Sequence, residues 1–237
     1  MRYKKYIILF FAFAVYIFLV FYTLMNIDSY TNTGLNFTKS INVIIDPGHG
    51  GDDGGAVANG IIEKSINLTV SKNLAKLLKS GGFNVIMTRD SDRMINTEGK
   101  TLRERKISDM KNRLKIYNSD CDNVVISIHQ NKFTEEKYYG TQVFYSNNNT
   151  DSQKLAESIR NNIQTLIQPD NKREIKQSDS SIYLLKNSES PSVIVECGFI
   201  SNSREARLLK THNYQEKIAF AIYTGFMDYY LSGSYNK

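Results

Sequence analysis

Four side chains stand where a folded sheet could gather them into one reactive site. His49 follows the apolar run of NVIIDPG, His129 follows NVVISI directly, and Glu196 ends SVIVE. Glu63 follows the glycine-rich loop that carries His49, at the start of a helical pattern. Open α/β sheets place their ligands beyond the carboxyl ends of the strands, so these groups can converge on one edge. Two imidazoles and one carboxylate make a catalytic zinc site whose fourth position stays open. Such an ion lowers the pKa of water to ~7 and polarises a substrate carbonyl. A second carboxylate is then needed to take the proton of the attacking water and pass it to a leaving amine. With two histidines and two acids, three groups would bind the metal and one would carry protons.

Each residue also has a plainer reading. His49 could be an ordinary loop histidine, and His129 a satisfied core histidine at a strand end. Glu63 near a helix N-terminus could do no more than complement the helix dipole. Glu196 is the least plain, because a carboxylate closing an apolar strand is costly unless paired. His212, among Lys210, Thr211 and Asn213, reads as solvated surface. The loop Gly48-His49-Gly50-Gly51 could cradle a phosphate at a helix start. It lacks the GxxxxGK[ST] and GxGxxG patterns, however, and a tight turn that brings His49 close to other ligands explains the glycines as well.

The elements that would position these residues alternate along the chain. Strand patterns fall at 42–46, 83–88, 123–128, 141–145, 182–186 and 192–196. Helical stripes fall at 64–80, through Ile66, Val70, Leu74, Leu77 and Leu78, and at 102–118, through Ile107, Met110, Leu114 and Tyr117. Further helices fall at 153–168, 204–209 and 214–230. Continuous apolar strands beside helices predict a single α/β domain. Its sheet would be six-stranded, mixed and mostly parallel, with helices on both faces and antiparallel pairing between 141 and 196.

The N-terminus is set apart from this domain. Arg2, Lys4 and Lys5 precede an uncharged apolar run from Tyr6 to Met25. Twenty helical residues span ~30 Å, the thickness of a bilayer's hydrocarbon core. Basic residues in front place the N-terminus in the cytoplasm and the remainder outside. Residues 1–25 therefore read as a membrane anchor in preference to a cleaved signal, 26–40 as a polar linker, and 41–231 as the catalytic domain. Net charge is +6, but with three basic residues in the leader the remainder carries 27 Lys and Arg against 24 Asp and Glu. That mixed balance argues against a nucleic-acid partner. Cys121 and Cys197 adjoin apolar runs and read as buried free thiols in preference to a disulfide; without a CxxC pair they offer no thiolate zinc site.

The stretches INVIIDPGHGGDDGGA, EKSINL at 63–68, VIMTRDSD, NVVISIHQN and PSVIVECGFISN resemble the zinc N-acetylmuramoyl-L-alanine amidases of the amidase-3 type. The resemblance runs from about residue 41 to 230. It implies a twisted sheet between helices, one Zn2+ held by His49, Glu63 and His129, and Glu196 as the catalytic carboxylate. The implied reaction is hydrolysis of the amide between the lactyl group of muramic acid and L-alanine in peptidoglycan. A compact domain on an N-terminal anchor, and SIYLLKNSESPSVIVECGFISNSREARLL, are similar to the subgroup acting on spore cortex, where peptide removal prepares muramic δ-lactam.

Two departures from the family pattern are Lys132–Glu136 after SIHQN and Cys197 beside the glutamate. Arg89 matches the family's TR dipeptide and is read as pairing a carboxylate or binding substrate, and Asn131 as a polar contact near the metal. Rival readings are a non-catalytic peptidoglycan-binding or regulatory protein on the same fold, and a zinc carboxypeptidase. A site with two imidazoles and one carboxylate could hold zinc weakly enough that an activating partner protein tunes it.

Overall fold

The computed structural model describes residues 41–233 and, before them, positions 3, 6, 13, 15–19, 21 and 22. Contacts divide the chain into two units, residues 1–39 and 40–237. In the first, the described residues are helical and exposed, with the rings of Phe18 and Tyr22 stacked. Among the described residues no helix is long and apolar enough to cross a membrane. Much of the apolar run from Tyr6 to Met25, and the whole linker at 26–40, lie outside the described residues.

The second unit is built on β1 (Asn42–Pro47), the short hairpin β2 (Val57–Ala58) and β3 (Ile61–Ile62), and α1 (Glu63–Ser80). There follow β4 (Asn84–Met87), α2 (Leu102–Tyr117), β5 (Asn123–Asn131), β6 (Gln142–Tyr145) and α3 (Thr150–Leu166). The chain closes with β7 (Lys176–Gln177), α4 (Tyr183–Asn187), β8 (Ser192–Phe199), α5 (Ser203–Leu209) and α6 (His212–Leu231).

Six strands form one sheet in the order β4-β1-β5-β8-β6-β7. The β4-β1-β5-β8 pairs are parallel, β6 runs antiparallel to β8, and β7 is parallel to β6. Val43, Ile44, Ile45, Val124, Val125, Ile126, Val193 and Val195 are fully buried, as strands covered on both faces must be. Helices α1, α3 and α6 pack together against the sheet, and α2 and α4 cover it through a cluster of Ile44, Tyr117, Val125 and Leu184.

Two expectations about elements are corrected. Residues 182–186 are not a strand: Leu184 and Leu185 are both buried, a pairing that one turn of helix allows and a half-buried strand does not. The sixth strand is β7 instead, whose two exposed residues carry no apolar pattern. In α2, Ile107 is 42 % exposed, and the buried face is Ser108, Asp109, Arg113 and Tyr117. The helix buries charge because Arg113 reaches Asp46 on β1 and Asp109 on its own helix. Both cysteines are free; Cys197 is buried as expected, but Cys121 is exposed, because it sits in the turn ahead of β5.

Candidate metal centre

The site starts at the end of β1, where the backbone must turn sharply. His49 adopts φ 62°, a left-handed conformation uncommon for a side chain of its size. Gly50 and Asp53 exchange backbone hydrogen bonds at 2.9 and 3.0 Å and close the turn. Two buried arginines fix the preceding carbonyls. Arg89 donates to Pro47 O, Gly48 O, Lys64 O and Ser91 O. Arg113 donates to Pro47 O and, at 2.8 Å, to His49 O. Arg89 thus clamps backbone where sequence suggested a carboxylate or substrate partner; the buried carboxylate, Asp46, pairs with Arg113.

Glycine at 48 and 55 lets the donors approach. A Cβ on Gly48 would fall 2.2 Å from the His129 ring, and one on Gly55 would fall 2.6 Å from both Glu63 Oε2 and the His49 ring. Gly55 also has φ 69°, which glycine adopts freely.

His49, Glu63 and His129 meet there. Their ligand atoms lie within 4.8 Å of one another, and the two imidazole rings stand 5.0 Å apart, nearly perpendicular. His49 Nε2 lies 3.3 Å from Glu63 Oε2, and His129 Nδ1 lies 3.0 Å from Glu63 Oε1. Glu63 is buried and held by three donors: Ala56 N at 2.8 Å, Asn67 Nδ2 at 3.1 Å and Gln130 N at 3.1 Å. Burial opposes its charge, but His129 and His49 outweigh burial and hold its carboxyl far below the usual range.

Asp53 completes the support. Its Oδ2 is 2.8 Å from His49 Nδ1, and its Oδ1 is 2.9 Å from Lys106 Nζ. A carboxylate on Nδ1 fixes the ring and leaves Nε2 facing Glu63, the arrangement that orients metal-binding histidines. Burial opposes a proton on His49, yet Asp53 and Glu63 raise it to about 9. The field that favours this proton is the field that favours a cation between the same atoms.

Glu196 pairs in register with His129 across β5 and β8, which brings it to the same edge. Its Oε2 is buried without a hydrogen-bond partner. Burial pushes it up to about 7, with Glu63 adding to the rise and His129 and His49 opposing it. A cleft of about 410 Å³ opens over these groups, lined by His49, His129, Glu196, Lys106, Met110 and Tyr183 among others. Two imidazoles, one supported carboxylate and an adjacent orphaned acid oxygen fit a three-ligand zinc site with a free acid beside it.

All four residues expected from the sequence are therefore in one place. His212 is exposed at the start of α6. Asn131 lies past a register shift, opposite Phe199, outside the cleft lining. The Phe133 ring of the 132–136 segment stacks on buried Phe199, and its backbone N–H donates to Ser201 Oγ. Asp53, Asn67 and Gln130 were missed; the one available signal was a carboxylate four residues after His49 in the same glycine-rich loop.

Fold and site define an α/β protein with a His–Glu–His cluster able to hold one cation at the carboxyl edge of its sheet. Residues 43–228 match the amidase-3 family, N-acetylmuramoyl-L-alanine amidase, and the chain belongs to that family. It is 36 % identical over 220 residues to the germination-specific N-acetylmuramoyl-L-alanine amidase of Bacillus subtilis, covering 92 % of each chain. Among solved structures it resembles the CwlD amidase of Clostridioides difficile in complex with the GerS lipoprotein. There the TM-score is 0.78 and the identity 42 %, over 81 % of this chain and 99 % of that one. An N-acetylmuramoyl-L-alanine amidase of Clostridium difficile 630 superimposes with TM-score 0.69 at 29 % identity, over 80 % of this chain and 96 % of that one. The protein is an enzyme of peptidoglycan amide hydrolysis, so the non-catalytic reading falls.

Proposed function

We propose that the chain is a zinc-dependent amidase of spore-cortex peptidoglycan. It would cut between N-acetylmuramic acid and L-alanine and so prepare muramic δ-lactam formation. His49, Glu63 and His129 hold one Zn2+, and Glu196 is the catalytic acid–base. When bound, zinc supplies Lewis acidity toward the scissile carbonyl oxygen and the attacking water. Glu196 takes a proton from that water at Oε2 and delivers it to the departing alanine nitrogen. Asp53 keeps His49 in one tautomer, and Asn67 and the Gln130 amide keep Glu63 aimed at the cluster. The observation that carries this reading is the buried, unpartnered Oε2 of Glu196 in register with His129.

The cortex assignment leans on the relative from Bacillus subtilis, whose name is germination-specific and which matches over nearly its whole length. Residues 1–25 anchor the enzyme to the membrane, 26–40 tether it, and 41–231 act outside the cytoplasm. The complex of the Clostridioides difficile relative with a lipoprotein supports a partner protein for this chain too, one that acts on zinc binding.

Mass spectrometry of cortex fragments incubated with the zinc-loaded enzyme tests the reaction. Peptides with a free L-alanine amino terminus, and muramic acid stripped of peptide, are expected. Loss of C-terminal stem residues alone would indicate a carboxypeptidase, and no release with zinc bound and the fold intact would overturn the proposal.

A further inference from the structure

The cleft beside the His–Glu–His cluster is lined by apolar side chains, among them Met110, Ile182, Tyr183 and Leu184, and by charged ones. Most of the charge is already committed. Arg113 donates to Asp46, Asp109, Pro47 O and His49 O, and is buried. Lys106, on α2, differs: its side chain is 43 % exposed and lines the same cleft. An ammonium carries three donors. Asp53 Oδ1 takes one at 2.9 Å, and among the described residues no second acceptor meets Lys106.

We propose that Lys106 binds a carboxylate of the stem peptide about two residues beyond the scissile amide, and so selects acidic stems over amidated ones. This rests on the amidase reading. Asp53 bridges Lys106 to His49, so the ammonium stands one carboxylate and one imidazole away from the Nε2 that faces Glu63. Two residues of extended peptide span ~7 Å, which suits a reach of that kind. The apolar lining holds the uncharged part of the peptide while the ammonium meets its carboxylate. An anion entering here meets Asp53 and Glu196 as well as the metal site, and the Lys106 charge offsets the nearer of those carboxylates. If Lys106 only neutralised Asp53, acid and amide substrates would be cleaved alike.

The test compares kcat and KM of the zinc-loaded full chain on two synthetic muramyl peptides. They differ only in a free carboxylate or a carboxamide on the second stem residue. The acid should be preferred about tenfold, in KM and not in kcat, as one partly exposed charge-assisted hydrogen bond allows. Lys106→Gln should erase the preference, Lys106→Arg keep it, and Lys106→Glu reverse it. Equal cleavage by the wild type overturns the role of Lys106 and leaves the amidase reading standing. Cleavage of neither, with zinc bound, removes both. Should Lys106→Gln lose zinc through Asp53, the wild-type ratio still decides.

Discussion

At the scale of single residues, the site is a balance of charge around His49. Burial disfavours a proton there, but Asp53 and Glu63 draw one in, up to about pH 9. A zinc ion taken up by His49 would have to displace that proton, so metal affinity and pH would be linked. The sign follows from the raised pKa: below about 9 the proton competes, and above it competition ends. Zinc affinity of the metal-free protein, measured by chelator competition, should rise ~10-fold per pH unit from pH 7 and level off near 9. An affinity flat across that range would mean that His49 carries no competing proton there in the metal-free protein. The same sign rule sets what His49 contributes to stability without metal. Its contribution is full below pH 6.5 and fades as pH rises through about 9.

At the scale of elements, the loop after β1 is held from behind by α2. Asp46, on β1, accepts from Arg113, Thr88, Tyr117 and Ser127 and is fully buried. Burial raises its pKa, but Arg113 and the three hydroxyls outweigh that and hold it far below the ordinary carboxylate range. A depressed carboxyl stabilises the fold above its unfolded pKa of 3.8, and the stability is lost as pH falls through the lower folded value. Arg113→Met would strand Asp46 as a buried unpaired charge and cost roughly 3–5 kcal/mol. Urea unfolding at neutral pH checks this; a loss under 1 kcal/mol would contradict a shared buried network.

This network is also where sequence reading stops. Uninterrupted apolar runs made β1, β5 and β8 legible, and the 3.6-residue stripe made α1 legible. Helix α2 is legible but its buried face is not, because apolar periodicity cannot see a helix that turns Asp109 and Arg113 inward. His49, His129 and Glu196 stood out because each closes an apolar strand, and Glu63 because it opens a helix after a glycine loop. Asp53, Asn67 and Gln130 act through hydrogen bonds to those residues, and such support leaves no periodic trace.

At the scale of the molecule, the parallel core of the sheet carries His49, His129 and Glu196 to one edge, and α1 adds Glu63 beside them. α2 and α4 form the walls of the cleft over that edge. The apolar lining and Lys106 would position a peptide, while the His–Glu–His cluster would hold the ion. The roles of the two acids are separable: Glu63 is held by three donors and faces both imidazoles, whereas Glu196 keeps a buried oxygen free. Glu196→Gln preserves size and removes both the charge and the ability to carry a proton. The deciding measurement is the hydrolysis rate of this variant at equal, verified zinc content. One equivalent of zinc with a rate reduced ~10²-fold or more is expected; a rate within a few-fold of the wild type would contradict the assignment of Glu196 as the proton carrier.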